Sequence, residues 1–274
     1  MAAELGRYGI WARPDRATTE LAREAERLGY GAVWVGGSPG ELAAIEPLLD
    51  ATETLVVATG IINMWQVSAD EAATWFHRLE ELHPGRFLLG LGIGHREATA
   101  EYRSPLATMV AYLDRLDADG VPADRRVLAA LGPRVLGLAA ERAAGAHPYL
   151  VPPEHSSTAR EVMGAGALLA PEHKVLLQTD PSVARETARP VVSRYLQMRN
   201  YRANLRRLGF TEEDLAGGGS DALVDALVAH GEPAVVAAAL AEHLDAGADH
   251  VAIQVLDEDL LTAARALAAV LHRP

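Results

Sequence analysis

A helix end, a glycine and an apolar strand-like run follow one another at three places in this chain of 274 residues. The three places are residues 25–33, 140–147 and 241–251. Glycine is common where a helix stops, because it adopts the left-handed conformation at little cost. A helix–glycine–strand unit that recurs is typical of a repeated β/α architecture. The pattern therefore predicts an α/β fold whose parallel strands are joined by helices.

Eight candidate strands lie along the chain, and most are continuous apolar runs of the kind found in buried parallel strands. They span residues 7–12, 32–38, 55–62, 87–93, 127–131, 147–151, 174–179 and 250–256. Helical patterns fill most of the gaps, so the sequence predicts a single (β/α)8 TIM-barrel domain over residues 1–274. Residues 180–246 are too many for one crossover and hold several helical stretches, which predicts a helical insertion between strands 7 and 8.

The charge and the residue types of the chain exclude several classes of protein. The formal net charge is −12, which argues against a general nucleic-acid binder. There is no cysteine, so disulfides, thiolate catalysis and cysteine-ligated metals are excluded. No apolar run reaches the roughly 18 residues of a membrane span, and the N-terminus does not resemble a signal peptide. We therefore expect a cytoplasmic protein whose partners include neither nucleic acid nor a membrane.

The sequence contains no metal-binding or dinucleotide-binding motif. His77 and His83 lie six residues apart, which does not place them on one face of a helix. Gly90 and Gly92 begin a dinucleotide fingerprint, but His95 occupies the position of its last glycine. Neither a bound metal nor a Rossmann-type site is expected.

Active sites of (β/α)8 barrels lie at the carboxyl ends of the strands, and this rule sorts the candidate residues. His95 follows strand 4, where a histidine can shuttle a proton or donate to a cofactor; the alternative is a solvated loop histidine. His147 and Lys174 are predicted to begin strands 6 and 7, at the opposite end of the barrel. That position favours a structural role for His147 and argues against a Schiff base on Lys174.

The tripeptide Gly132-Pro133-Arg134 opens a predicted helix after strand 5. Proline is favourable at the first helical position, and the free N–H groups beside it form an anion site. Arg134 adds a positive charge. The prediction is a phosphate-binding turn, and the alternative is an ordinary helix start with a solvated arginine.

Three motifs resemble the bacterial luciferase-like flavin-fold family. Residues 82–94, Leu-His-Pro-Gly-Arg-Phe-Leu-Leu-Gly-Leu-Gly-Ile-Gly, are similar to its strand-4 signature. Residues 59–61 and 31–36 are similar to its strands 3 and 2, and the order of the motifs agrees along nearly the whole chain. Residues 131–150 look most like the subgroup that uses the deazaflavin coenzyme F420.

The resemblance implies where a cofactor would lie. An isoalloxazine-like ring is expected at the barrel mouth between the ends of strands 2, 3 and 4, beside a non-prolyl cis peptide near Gly60–Ile61. The implied cofactor contacts are Ser38, Gly60, Ile61, Asn63, Gly92, Gly94 and His95 for the ring region, and Gly132, Pro133 and Arg134 for the phosphate-bearing tail. Trp11, Met64 and Trp65 are predicted to line an apolar substrate pocket over the ring.

One position departs from the family pattern. Some deazaflavin members place Asp-His at the end of strand 2, where this chain has Gly37-Ser38. Ser38 can hydrogen-bond a cofactor but is a weak proton donor, so His95 is the catalytic candidate instead. Family members are commonly dimers, and a homodimer is expected.

Three functions are compatible with these residues. The first is hydride transfer between coenzyme F420 and a small organic substrate. The second is an FMN-dependent monooxygenase of the same fold, supplied with reduced cofactor by a flavin or F420 reductase. The third is a barrel that binds a flavin-like ligand without catalysis.

Overall fold

The computed structural model describes residues 4–37, 44–98 and 104–272. Their strands all pair in parallel. The strands are β1 (Tyr8–Ala12), β2 (Ala32–Gly36), β3 (Val56–Gly60), β4 (Ile62–Asn63), β5 (Phe87–Gly92), β6 (Arg126–Leu128), β7 (Gly145–Ala146), β8 (Leu168–Leu169), β9 (Glu172–Leu176), β10 (Val228–His230) and β11 (Val251–Val255). The predicted α/β class with a parallel sheet is confirmed.

Helices connect most of the strands. They are α1 (Thr19–Leu28), α2 (Glu46–Asp50), α3 (Ala69–Leu82), α4 (Pro105–Ala118), α5 (Pro133–Arg142), α6 (Pro153–Met163), α7 (Pro181–Leu196), α8 (Arg199–Arg207), α9 (Asp221–Leu227), α10 (Pro233–Asp245) and α11 (Leu260–Leu271). Among these described helices, none combines the length and the apolar character that crossing a bilayer requires.

The strand order shows that the sheet curls round on itself. Its order is β10-β9-β11-β1-β2-β3-β5-β6-β7-β8, with β4 paired to β5. Strands β8 and β9 lie towards opposite ends of this order, yet only Ala170 and Pro171 separate them in the chain. The chain itself therefore brings the two ends of the sheet together.

The apolar strands are buried on both faces, which explains their continuous hydrophobic runs. Trp34 and Ala58 belong to a cluster on the inside of the curl, together with Trp11. Val33, Val35 and their counterparts on neighbouring strands face the surrounding helices and join the main core. Alternate residues of one strand thus supply two different hydrophobic clusters.

Two of the three predicted glycine stops follow a helix in the structure. Gly29 caps α1 with φ +89°, and Gly247 follows α10 with φ +97°. Gly145 instead lies inside β7, where a Cβ atom would come within 1.8 Å of the Leu168 carbonyl oxygen. Close approach of two backbones, rather than a helix stop, requires glycine at that position.

The predicted strand over residues 147–151 is wrong. The strand in this region is β7, which ends at Ala146, and the residues after it form no regular element. Pro148 has no N–H to give to a ladder, and Leu150 has φ +56°. The short strands β8 and β10 were not predicted, because two or three residues are too few to show a periodic pattern.

Residues between β9 and β10 form the helices α7, α8 and α9, which share an apolar cluster of their own. Leu196, Leu205 and Leu223 each come from a different one of these helices and are fully or almost fully buried in it. The strand β10 follows this cluster and pairs with β9. The helices predicted between strands 7 and 8 are therefore present, and α8 comes to lie over the carboxyl ends of the strands.

Candidate active site

A cavity of about 1290 Å³ opens at the carboxyl ends of the strands. The ends of β1, β2, β3, β5 and β11 line it, as do the N-terminus of α5 and one side of α8. This volume exceeds that of ordinary small-molecule sites, which hold roughly 300–1,000 Å³. The cavity can hold a cofactor together with a substrate.

Glycines keep one wall of the cavity free of side chains. A Cβ atom on Gly92 would lie 2.7 Å from the Ile61 side chain, and one on Gly94 would lie 2.7 Å from that of Asn63. The Gly60–Ile61 peptide bond beside them is cis, at the place that the family resemblance implies. These predicted cofactor residues are brought together, and the flat, recessed wall they form suits an aromatic ring system.

Two buried ring nitrogens lie at the inner end of the cavity without hydrogen-bond partners among the described residues. They are Nε1 of Trp11 and Nε2 of His147. The residues are only 6% and 1% exposed, yet both belong to the cavity lining. A buried polar atom that is left unpaired costs about 1–3 kcal/mol. Both atoms are therefore candidates for contact with a bound molecule.

The position of His147 differs from the predicted one. It directly follows the end of β7, so it stands at the carboxyl edge of the sheet and not at the start of a strand. Its Nδ1 lies 2.7 Å from the carbonyl oxygen of Ala170, and its ring stacks on Trp34 with 4.1 Å between centroids. Burial lowers the pKa of His147 to about 4, so the ring is neutral at pH 7.

An aromatic wall with buried charges behind it forms another side of the cavity. The hydroxyl of Tyr149 donates to Oε1 of Gln254 and lies 2.9 Å from the hydroxyl of Tyr195. Behind it, Nζ of Lys174 lies 3.9 Å from the centroid of the Tyr149 ring. Lys174 forms a fully buried ion pair with Glu172 at 2.8 Å. Since β9 begins at Glu172, Lys174 lies in the middle of this strand rather than at its start.

His95, the predicted catalytic residue, lines the cavity. Its Nδ1 is 3.2 Å from Oδ1 of Asn200, and its ring contacts that of Tyr201, both on α8. Burial lowers the pKa of His95 below its ordinary value. The ring is therefore neutral at pH 7, which suits a hydrogen-bonding contact better than the release of a proton from an imidazolium.

The cavity is strongly basic although the chain as a whole is acidic. One carboxylate, Glu97, belongs to its described lining, against seven arginines. The arginines are Arg13, Arg16, Arg96, Arg134, Arg194, Arg199 and Arg207. The guanidinium of Arg16 donates to the carbonyl oxygens of residues 255, 257 and 258, and Arg13 forms an ion pair with Asp15.

Four of these arginines have neither an ion pair nor a hydrogen bond from the guanidinium group within the described part of the chain. They are Arg96, Arg134, Arg194 and Arg199. Unpaired guanidinium groups that share one cavity attract anions strongly and select for phosphate or carboxylate. The cavity therefore favours an anionic ligand despite the net charge of −12.

The predicted phosphate turn receives a second arginine from α8. Gly132 caps the N-terminus of α5, and Nη2 of Arg207 would lie 3.4 Å from a Cβ atom on that glycine. Arg207 donates to Oδ1 of Asn204, which holds its guanidinium in place. Arg134 and Gly132 both line the cavity, whereas Pro133 does not. No local sequence signal marks Arg207, because only the packing of α8 brings it to the cavity.

The structure brings one of the three residues predicted for the substrate pocket to the cavity. Trp11 lines the cavity, but Met64 lies in the main core and Trp65 is outside the cavity lining. Both follow β4 directly, where Oδ1 of Asn63 accepts from the backbone N–H of Trp65 and turns the chain away. Ser38 lies outside the described residues. In the described part of the chain no cluster of side chains could hold a metal ion.

A family model matches the first part of the chain. Residues 6–118 match the model of the luciferase-like monooxygenases. No curated protein sequence matches the chain.

Solved structures resemble the chain over nearly its whole length. An F420-dependent secondary alcohol dehydrogenase in complex with an F420–acetone adduct has a TM-score of 0.76 at 14% identity, covering 97% of this chain and 98% of that one. The coenzyme F420-dependent tetrahydromethanopterin reductase of Methanopyrus kandleri has a TM-score of 0.69 at 15% identity, covering 96% and 97%.

The structure of an FMN-binding enzyme also resembles the chain over nearly its whole length. The oxygenating constituent of 3,6-diketocamphane monooxygenase of Pseudomonas putida, in complex with FMN, has a TM-score of 0.63 at 13% identity, covering 98% and 100%. These identities show a shared fold. Together with the match over residues 6–118, they confirm the resemblance to the luciferase-like family that the sequence shows.

Proposed function

We propose that the protein transfers a hydride between the deazaflavin coenzyme F420 and a small organic substrate. The observation that carries this proposal is the cavity, in which a glycine-lined wall lies beside a surplus of arginines. An aromatic ring system with a polyanionic tail complements both features. The two solved structures named above that are described as F420-dependent share the fold along nearly the whole chain.

The proposal includes a closed (β/α)8 barrel. Backbone hydrogen bonds from His250 and Ala252 to the carbonyl oxygens of Leu169 and Pro171 support it, because they join β11 to the segment between β8 and β9. The helices α7 to α9 would then be an insertion at the mouth of the barrel. We also propose a homodimer, which the family resemblance implies.

The number of arginines favours F420 over FMN. FMN has a single terminal phosphate, which Arg134, Arg207 and the N-terminus of α5 could bind by themselves. Arg96, Arg194 and Arg199 would then remain unpaired within the described cavity lining. A longer tail with several anionic groups would reach more of these guanidinium groups.

The residues that line the cavity would bind and orient the coenzyme and the substrate. The coenzyme supplies the hydride chemistry when bound. Ile61 and Asn63 would contact the ring, with Gly92 and Gly94 leaving room for it. His95, the predicted catalytic residue, would hydrogen-bond the ring edge as a neutral imidazole.

The test is a binding titration of the purified protein with F420 and with FMN, followed by fluorescence. We expect micromolar binding of F420 and weaker binding of FMN. Preference for FMN would overturn the choice of coenzyme and favour the FMN-dependent monooxygenase. The match to the luciferase-like monooxygenase model and the similarity to an FMN-bound structure support that alternative. A reductase that supplies reduced cofactor would then be sought. Binding of neither would favour a barrel without catalysis.

A further inference from the structure

We propose that Trp11 and His147 bind the oxygen atom of the substrate, and that His147 is the base that accepts the hydroxyl proton when an alcohol is oxidised to its carbonyl compound. This rests on the proposed hydride transfer and adds to it a substrate class, alcohols and the matching ketones or aldehydes. It also adds His147 as a catalytic residue, although the sequence analysis predicts this residue at the opposite end of the barrel.

The hydrogen bonds around His147 fix which nitrogen can accept a proton. Its Nδ1 is 2.7 Å from the carbonyl oxygen of Ala170. A carbonyl oxygen only accepts, so Nδ1 must carry the hydrogen of the neutral ring. Nε2 is then a bare lone pair, and it has no partner among the described residues. Trp11 provides the opposite function, because its indole nitrogen can only donate.

The two nitrogens converge on one place. A carbon atom attached to Gly60 would lie 2.8 Å from Nε1 of Trp11 and 3.5 Å from Nε2 of His147. Only glycine at position 60 leaves this space open. A ligand hydroxyl oxygen that enters beside this glycine, between the two nitrogens, would accept from Trp11 and donate to His147, so both buried atoms would be satisfied by one atom of the ligand.

The orientation of the His147 ring is held from behind. Its ring lies nearly parallel to that of Trp34, with an interplanar angle of 10°. Nε1 of Trp34 donates to Nε2 of His250 at 3.0 Å, and Nδ1 of His250 is 2.8 Å from the carbonyl oxygen of Gly6. This chain of contacts fixes the base before the substrate arrives, as an efficient site requires.

The O–H bond of the alcohol breaks and its proton goes to Nε2 of His147, while the carbon–oxygen double bond forms. The hydride leaves the same carbon with both electrons of its C–H bond and reduces the oxidised coenzyme. The carbonyl oxygen of the product keeps the hydrogen bond from Trp11, and the proton leaves His147 for solvent after product release. A weak base suffices, because a hydroxyl proton becomes very acidic as the hydride departs.

The tyrosines of the cavity are less suited to this role. The hydroxyl proton of Tyr149 is donated to Gln254, and Tyr195 therefore donates its own to Tyr149. Burial also raises the pKa of Tyr149 well above its ordinary value. Both phenol protons are thus held in hydrogen bonds within the protein, whereas Nε2 of His147 has a lone pair without a partner among the described residues.

The first experiment detects the hydrogen bond without any turnover. The full-length protein, with its histidines labelled with 15N, is titrated with cyclohexanol and, as matched control, with methoxycyclohexane. The Nε2 resonance of His147 is identified as the one that is missing from the spectrum of the His147→Gln variant. We expect cyclohexanol to shift this resonance. The ether has no hydroxyl proton and should leave it unchanged. A resonance that responds to neither compound, as when an ordered water already holds Nε2, would overturn the proposal.

The second experiment separates chemistry from coenzyme binding. In F420-loaded protein, we expect His147→Gln to lower kcat for cyclohexanol oxidation by roughly 10²- to 10⁴-fold. Trp11→Phe should lower kcat/KM by roughly tenfold, with Trp65→Phe, which lies outside the cavity, as its control. The Kd for F420 should change by less than about twofold in all three variants.

The outcomes distinguish this proposal from the previous one. Failure of the wild-type protein to bind F420 would remove the proposed coenzyme, while the 15N titration would still test the oxygen site. Weak F420 binding by His147→Gln alone would mean that His147 contacts the coenzyme and not the substrate. Full turnover in His147→Gln would exclude His147 as the base.

Discussion

Lys174 is the only lysine of the chain, and its charge is buried against a single partner. Its side chain and that of Glu172 are both 0% exposed, and two hydrogen bonds of 2.8 and 3.0 Å join them. Glu172 also accepts from the backbone N–H of Leu150, which ties the segment after β7 to β9. Burial lowers the pKa of Lys174, and the neighbouring Glu172 opposes this shift.

Removing one member of this pair should destabilise the protein severely. We expect Lys174→Met to lower the free energy of unfolding by about 3–5 kcal/mol, because it leaves the Glu172 carboxylate buried without a counter-charge. The double variant Lys174→Met/Glu172→Leu should recover much of that loss. Urea unfolding of the three proteins measures it, and a Lys174→Met variant as stable as the wild type would contradict the buried pair.

The sequence predicted the places of several residues that line the cavity but not that of His147. Asn63, Gly92, Gly94 and His95 follow clear apolar runs, so their place beside the cavity could be inferred. His147 was placed at a strand start because His-Pro-Tyr-Leu-Val reads as an apolar run. The proline and the left-handed Leu150 end the strand before it, and neither effect shows in the hydrophobic pattern.

At the end of helix α8, one arginine lines the cavity and its neighbour in the sequence points away from it. Arg207 lines the cavity near Gly132, whereas Arg206 forms an ion pair with Glu212. Adjacent helical residues point about 100° apart, so the two side chains make a natural comparison.

The two arginines should differ in their effect on coenzyme binding. We expect Arg207→Ala to weaken binding of F420 by roughly tenfold, and less so at high salt, because a charge-assisted contact to the anionic tail is lost. Arg206→Ala should leave the Kd unchanged. Fluorescence titrations at low and high salt provide the measurement, and equal effects of the two substitutions would exclude a direct contact of Arg207.

The longer elements were predictable, and the short ones were not. Strands β1, β2, β3, β5 and β11 each have five or six residues, and apolar runs marked all of them. Strands β7, β8 and β10 have two or three residues, too few for a pattern to emerge. The packing of α8 across the cavity depends on tertiary contacts, which no local signal in residues 199–207 reveals.

The buried histidines should make the stability of the whole molecule depend on mildly acidic pH. Burial lowers the pKa of His147, His173 and His250 to about 4, against about 6.5 in an unfolded chain. Between these values the unfolded state binds protons that the folded state does not. Stability is therefore greatest above about pH 6.5 and falls as the pH decreases towards 4.

At pH 5 we expect unfolding to take up roughly three protons per molecule, so the urea midpoint should fall markedly between pH 7 and pH 5. The carboxylates whose pKa is lowered titrate mainly below about pH 4.5, so this window isolates the histidines. Urea unfolding at half-unit pH steps gives the slope. An unchanged midpoint from pH 7 to pH 5 would show that these rings are not held neutral.

The opposite charges of the whole molecule and of its cavity could not be read from composition. A net charge of −12 predicts repulsion of an anionic coenzyme, yet seven arginines from β1, β5, α5, α7, α8 and the loops beside them converge on one opening. Their separations in the sequence are large, and only the fold brings them together. Field lines in such a cleft are set by its local lining, so the average charge is a poor guide to the ligand.

Burial of the only lysine also has a practical consequence. In the folded protein no side-chain amine is open to acylating reagents, because Lys174 is enclosed together with Glu172. Amine-reactive dyes or surface-coupling chemistry therefore have no lysine to attach to while the fold is intact. When the molecule opens, one side-chain amine becomes available at a known position in β9, and the extent of its modification reports how often the sheet comes apart.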